Sequence, residues 1–245
     1  MRARTGPLRA PLALTVIVLA LSNAACVATQ ESAAVATSAA AAAEPPPSAY
    51  VSLLHSQGVD ANIPSRGKFV LVNIPSFELI ALQDGEPVLR SRVVVGKPAA
   101  PTPELLSSMF AIRFNPSWTP TPLMIRNEGL HYMPPGPDNP MGRMMFDLDN
   151  DEFIYLHDTN EKQLFKRTQR ALSHGCVRVE QARRLAAWAL GVPEKEIDAM
   201  IARGTYSVPV PETIPVSLVY YTRFPDAQGQ LASYPNIYTD RLAEK

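Results

Sequence analysis

Three short runs within 68–95 are each patterned for an extended strand and stand one turn apart, which commits the folded part of this chain to β structure. The run 68–74 alternates, with Val70, Val72 and Ile74 on one side and β-branched residues throughout. A second strand is expected over 77–83 and a third over 87–95. Between them stands Asp84-Gly85, a hairpin dipeptide whose two central positions need the positive φ that Asp and Gly tolerate. Further strands are expected at 109–114, 153–157 and 216–222. The 24 prolines fall mostly between these runs, where they end strands and stiffen loops. One long helix is expected over 180–190, where Ala182, Leu185, Ala186, Ala189 and Leu190 recur at helical spacing before Gly191 and Pro193. A shorter one over 194–203 turns Ile197, Met200 and Ile201 inward. The fold class is therefore mainly β, with one main supporting α-helix.

The first 25 residues read as a secretory signal peptide. Arg2, Arg4 and Arg9 precede an apolar stretch over 12–21, followed by small residues. That stretch is shorter than the roughly 20 apolar residues a membrane-spanning helix needs. Cys26 stands where a bacterial lipoprotein signal places its lipidated cysteine, although Asn23 occupies a position where such signals prefer Leu. Membrane attachment through a lipid on Cys26 and plain cleavage near Ala25 both remain open. Residues 26–49 are rich in Ala and Ser and end near Pro45-Pro46-Pro47. Such a stretch buries too little apolar surface to offset its ordering entropy, so a flexible linker is expected there and a folded domain over 50–245. Within that domain 116–150 is rich in Pro, Gly, Asn and Met, and its length suggests a functional loop, here a lid. Loss of the three leader arginines tips a balance of 23 basic and 23 acidic residues toward net negative charge. Nucleic acid is therefore not an expected partner. Nothing in the sequence speaks to oligomeric state.

Only two cysteines are present, and Cys26 lies on or before the linker. Cys176 is thus an unpaired thiol in a chain marked for export, a liability unless buried or used. It stands in Ser173-His174-Gly175-Cys176-Val177-Arg178, with His157 and Asp158 upstream. A thiolate is a strong nucleophile, an imidazole can generate it, and a glycine lets backbone N–H groups face an oxyanion. His157 ends an apolar run and is the expected general base. The carboxylate or the backbone carbonyl of Asp158 would hold its other nitrogen. Gly175 and Cys176 are the expected oxyanion donors, and Ser173 and His174 support the turn, with catalytic assistance by His174 left open. Arg178 either binds a substrate carboxylate or braces the loop. The long helix, read as starting just after Cys176, is expected to favour the thiolate through its positive end. His131, His157, His174 and Cys176 match no zinc spacing, so no metal is expected, and no cofactor motif appears.

These residues resemble the signature of the YkuD-type L,D-transpeptidases: a histidine, a variable loop, then Ser/Thr-His/Ser-Gly-Cys, a hydrophobic residue and Arg. Val93-Val94-Val95-Gly96-Lys97, Thr102-Pro103 and Asn115-Pro116-Ser117-Trp118 resemble other family segments. Tyr155-Leu156-His157-Asp158-Thr159, Val219-Tyr220-Tyr221-Thr222 and Pro235-Asn236-Ile237-Tyr238 are most similar to the YcbB-like branch. The resemblance implies a compact β-sandwich and a Cys176 thioester formed with a peptidoglycan tetrapeptide stem. The acyl group would then pass to the amine of a second stem, giving a 3–3 crosslink. It makes Trp118, Tyr155 and Arg178 candidates for substrate binding, and the bacterial periplasm or cell envelope the expected location. Two other readings share these residues: a thiol-dependent peptidoglycan hydrolase, and a wall-binding domain without catalysis.

Overall fold

The computed structural model describes residues 46–238. The expected signal peptide, Cys26 and nearly all of the expected linker lie outside them. The chain enters through helix α1 (Ala49–Ser56), capped by Ser48, and then forms an antiparallel meander of β1 (Lys68–Asn73), β2 (Glu78–Gln83) and β3 (Glu86–Gly96). The Asp84-Gly85 turn has positive φ at both residues (53° and 78°), as the hairpin demands. Strand β4 (Leu105–Phe114) follows, then helix α2 (Pro122–Glu128) and β5 (Met144–Leu148). Beyond β5 come β6 (Leu156–His157), a 3-10 turn (Lys162–Lys166), β7 (Ala171–Ser173) and β8 (Val177–Val179). Helices α3 (Ala182–Leu190) and α4 (Glu194–Ala202), the long β9 (Tyr206–Val219) and a small hairpin of β10 (Arg223–Pro225) and β11 (Leu231–Ser233) complete the described chain.

Nine strands pair in the order β2-β1-β9-β4-β5-β6-β8-β3-β7, and the ladder closes because β2 also pairs with β3. Closure needs strands that change partners. The first half of β3 pairs with β2 (Glu78↔Arg92), whereas Val93 and Val94 pair with β8. Likewise β9 follows β4 on both sides of a register break between Pro209 and Ile214, but joins β1 only from Val216 onward. The result is a sandwich-like closed sheet in which the two-residue β6 carries His157 and the three-residue β8 follows Cys176.

Alternation divides the interior into two cores. Val70, Val72 and Ile74 face the main core, which also takes Leu185, Ala186 and Ala189 of α3. Phe69 and Leu71 point the other way and pack with Tyr50 and Leu54 of α1 and with Phe224. The meander is therefore buried on both faces, because α1 covers the side that a half-exposed sheet would leave to water.

Several expectations change. The expected lid contains β5, whose Met144–Leu148 is buried, so the irregular segment ends before residue 144. The expected strand over 153–157 is extended only at Leu156 and His157. Phe153 instead takes φ 55° in a turn and is 72% exposed. The late strand begins at Tyr206, ten residues before the expected start. Pro209 and Pro215 are tolerated because that half of β9 pairs on one side only and a missing N–H breaks no second ladder, and Pro211 lies in the register break, where it has no partner. Finally, β8 intervenes between Cys176 and α3, which starts at Ala182, so the helix end does not abut the thiol.

Candidate active site

Strands β6 and β8 are parallel, with Leu156 opposite Val177 and His157 opposite Arg178. The Val177 N–H donates to the Tyr155 carbonyl at 3.0 Å, which extends the register back toward Cys176. Two-residue alternation then brings Tyr155, His157, Cys176 and Arg178 to one face of this strand pair. The Cys176 Sγ lies 3.7 Å from the Phe153 carbonyl oxygen and is half-buried. Phe153 holds its unusual φ because the Asn150 side chain clamps the turn, accepting from the Ile154 N–H (3.1 Å) and donating to the Ile154 carbonyl (2.9 Å).

The turn before the thiol is braced from beneath. Gly175 has φ +117°, a conformation costly for any residue with a Cβ. Its carbonyl accepts from Thr102 Oγ1 at 2.6 Å, and that hydroxyl accepts from the Gly96 N–H at 2.8 Å. The Tyr238 hydroxyl closes the network, accepting from the Thr102 N–H (3.1 Å) and donating to the Gly96 carbonyl (2.7 Å). Ser173 Oγ donates to the Cys176 carbonyl at 2.6 Å and accepts from the Gly175 N–H at 3.2 Å. The Gly175 amide, expected to face an oxyanion, is thus engaged within the turn.

His157 is 4% exposed, and its Nδ1–H donates to the Asp158 backbone carbonyl at 2.5 Å. The carbonyl rather than the carboxylate orients the ring, and this fixes the tautomer with Nε2 unprotonated. The carboxylate is engaged elsewhere: Oδ2 accepts from the Arg143 N–H at 2.9 Å, and Oδ1 is ion-paired with Lys162. Gly142 makes room for that arrangement. A Cβ there would stand 2.6 Å from the Asp158 carboxyl and 2.5 Å from the Thr159 nitrogen, at a backbone φ of +65°.

Burial, reinforced by the Arg178 charge, drives the His157 pKa down to about 4, against hydrogen bonding to the Asp158 and Met141 backbones and the Asp158 charge, which favour the imidazolium. Burial also pushes the Cys176 thiol up, although a backbone hydrogen bond from Tyr155 and the Arg178 charge pull the other way. Both shifts favour the uncharged forms, a neutral thiol and a neutral imidazole, on one face of the strand pair. The helix end expected to favour the thiolate does not reach it, and a thiol in this setting would lose its proton to a base as it attacks. Arg178 is itself tied to Glu161, so its guanidinium braces the loop between the two reactive residues.

At the rim, His174 is engaged by Glu128 and Lys97. Its Nε2 lies 2.8 Å from Glu128 of α2 and 3.0 Å from Lys97 Nζ, and Lys97 reaches Glu128 at 3.2 Å. Trp118 sits at the base of the irregular segment, exchanging both backbone hydrogen bonds with Met133 at 2.9 Å. His131 is exposed in that segment. Among the described residues no three His, Cys, Asp or Glu side chains gather as a metal-ligand set. A cavity of about 390 Å3 lies elsewhere, between Phe77, Arg92, Arg167, Arg170 and Tyr234. Thr102, Tyr238, Asn150, Lys97 and Glu128 carry the surroundings of the thiol, yet no local motif marks them. Only Thr102-Pro103, Gly96-Lys97 and Tyr238 stood in segments picked out by family resemblance.

Comparison with known proteins gives one consistent answer. Residues 67–216 match the YkuD family profile, described as the L,D-transpeptidase catalytic domain. A Haemophilus influenzae protein that carries a provisional L,D-transpeptidase name is 30% identical over 221 residues, 72% of this chain and 45% of that protein. The chain thus spans a little under half the length of that curated relative. Among solved structures, an Enterococcus faecium L,D-transpeptidase is 16% identical with TM-score 0.38, covering 62% of this chain and 49% of that one. A Mycobacterium smegmatis L,D-transpeptidase is 17% identical with TM-score 0.38, covering 61% and 58%.

Proposed function

Because the chain belongs to the YkuD family of L,D-transpeptidase catalytic domains, we propose that it forms a Cys176 thioester with a peptidoglycan tetrapeptide stem and passes the acyl group to an amine. The observation that carries this reading is the locked imidazole: Nδ1–H held by the Asp158 carbonyl leaves Nε2 as a base, on the strand paired with the thiol's own. As Sγ attacks the carbonyl between the diamino acid and the terminal D-alanine, Nε2 takes the thiol proton. The oxyanion gathers against the Cys176 backbone N–H, since that of Gly175 is held by Ser173. The imidazolium then gives its proton to the departing amine, leaving the thioester. An acceptor amine, the side chain of a second stem, attacks in turn. His157 takes the amine proton and returns it to the sulfur, and a 3–3 crosslink is released. In this reading Tyr155, on the thiol's own face, and Trp118, in the irregular segment, contact the donor stem, while Arg178, paired with Glu161, serves the loop and both reactive groups.

The periplasm or cell envelope is the proposed location, supported by the leader sequence, with a lipid on Cys26 as the proposed anchor. Similarity to the YcbB-like branch rests on residues 155–159, 219–222 and 235–238. Digestion of purified peptidoglycan treated with the protein, followed by mass spectrometry of the muropeptides, tests the function. Crosslinked dimers joined 3–3, lost in Cys176→Ala, are expected. Shortened monomers alone would assign hydrolysis instead, and wall binding without turnover would remove the enzymatic reading.

A further inference from the structure

The mechanism leaves one polar cluster beside the thiol unused. Lys97, Glu128 and His174 converge within 3.2 Å of one another, each side chain about one-third exposed. Two of the three are fixed to the catalytic turn. His174 stands two residues before Cys176, and the Lys97 N–H donates to the Ser173 carbonyl at 2.8 Å. Lys97 also follows Gly96, whose backbone is gripped on both sides by the Thr102 and Tyr238 network.

The third member is held differently. Glu128 ends α2, a seven-residue helix that buries none of its side chains. Leu123 and Ile125 of that helix are 58% and 49% exposed, so apolar packing does not seat it. The base of the segment is anchored separately, through the Trp118–Met133 bridge and the Asn139 amide, which donates to the carbonyls of Pro116 and Pro134 at 3.0 Å. The Glu128 carboxylate is what ties the helix to the rim, and the neighbouring Lys97 and His174 hold its pKa below the usual carboxylate range.

We propose that Lys97 and His174 form a carboxylate-binding subsite of the catalytic cleft, and that Glu128 fills it in place of a substrate carboxylate when the lid is closed. The proposal rests on Cys176 as the acylated residue, since it sets the ligand as a stem peptide. An ammonium and an imidazole N–H converging on one oxygen pair make a carboxylate receptor. Exposed ion pairs of this kind are weak and screened by salt, so an incoming carboxylate displaces Glu128 by a like-for-like exchange. The displaced α2 has no apolar seat to leave. The stem tetrapeptide offers two carboxylates of this chemistry: the terminal one on the leaving D-alanine, and the free side-chain carboxylate of the diamino acid.

Binding to the full-length Cys176→Ala protein tests this without chemistry. Calorimetry compares the tetrapeptide with two analogues, one amidated at the terminus and one at the diamino-acid side chain. Amidation of the recognised carboxylate is expected to weaken binding about tenfold, and the weakened analogue names the source. Adding Lys97→Met should weaken the parent peptide by a similar factor and leave that analogue unchanged, with Lys97→Arg restoring affinity. Adding Glu128→Gln should tighten the parent peptide. Equal affinity for the acid and both amides, or no loss in Lys97→Met, overturns the subsite, and weaker binding in Glu128→Gln overturns the displacement. Adduct formation on wild-type Cys176, read by intact mass in parallel, reports on acyl transfer separately, so failure of one is not mistaken for failure of the other.

Discussion

The neutral state of His157 has consequences that reach beyond catalysis. Its pKa of about 4 in the folded chain lies below the ordinary 6.5, so between those values the unfolded chain binds the extra proton. Stability is then full above about pH 6.5 and declines as pH falls toward 4. The loss at this one site is about 3 kcal/mol. Urea unfolding from pH 4 to 7 should show this slope in the wild type and a shallower one in His157→Phe. Removing the imidazole also removes the base, so His157→Ala should slow acylation of Cys176 by about 10²–10⁴. Asp158→Asn should cost far less, about tenfold or under, because the backbone carbonyl it retains holds the ring. A loss in Asp158→Asn equal to that in His157→Ala would contradict this. Gly142→Ala, with a Cβ forced against the Asp158 carboxyl at positive φ, should destabilise by about 2–4 kcal/mol, measurable in the same unfolding assay. The candidacy of Cys176 and His157 was legible because thiol, glycine and histidine stand in a compact motif. The choice between the carbonyl and carboxylate of Asp158 was not, because it depends on a ring torsion that composition does not encode.

At the level of elements, alternation was the dependable signal and burial on a second face the missing one. The meander was readable from 68–95, because β-branched alternation and an Asp-Gly turn agree. What covers its outer face was not, since α1 follows a low-complexity stretch and looks like its tail. Leu54, fully buried on the inner face of α1 in the cluster with Phe69 and Ile80, should cost about 2–5 kcal/mol when cut to Ala, read as a lower urea midpoint. An unchanged midpoint would mean that α1 is dispensable. Strand β5 was hidden because prolines and glycines on its amino-terminal side drown a five-residue run. The first half of β9 was hidden because its prolines argue against a central strand until its unpaired edge is known. Phe153 misled for the opposite reason: an aromatic residue in an apolar run is normally inward, and here a clamped turn throws it outward.

Across the whole molecule, the closed sheet joins distant segments at the catalytic turn. Tyr238, near the end of the described chain, reaches Gly96 and Thr102 and through them the Gly175 carbonyl. Tyr238→Phe should therefore lower stability by about 1–3 kcal/mol and also slow Cys176 acylation, a pairing that a purely peripheral residue would not give. Long-range support of this kind leaves no local signature, which is why the sequence pointed to the thiol and not to what holds it. The family match spans 67–216 and so includes both reactive residues, while the outer tether through Tyr238 lies beyond it. The most direct test of the central claim is the rate of acyl-enzyme formation with a stem tetrapeptide, followed by intact mass from pH 3.5 to 8. The outcome expected is a tripeptidyl adduct on Cys176 whose rate falls to half near pH 4, where His157 takes its proton. An acid limb near 6.5 would contradict the neutral pair, and the absence of an adduct on Cys176 would contradict the enzyme.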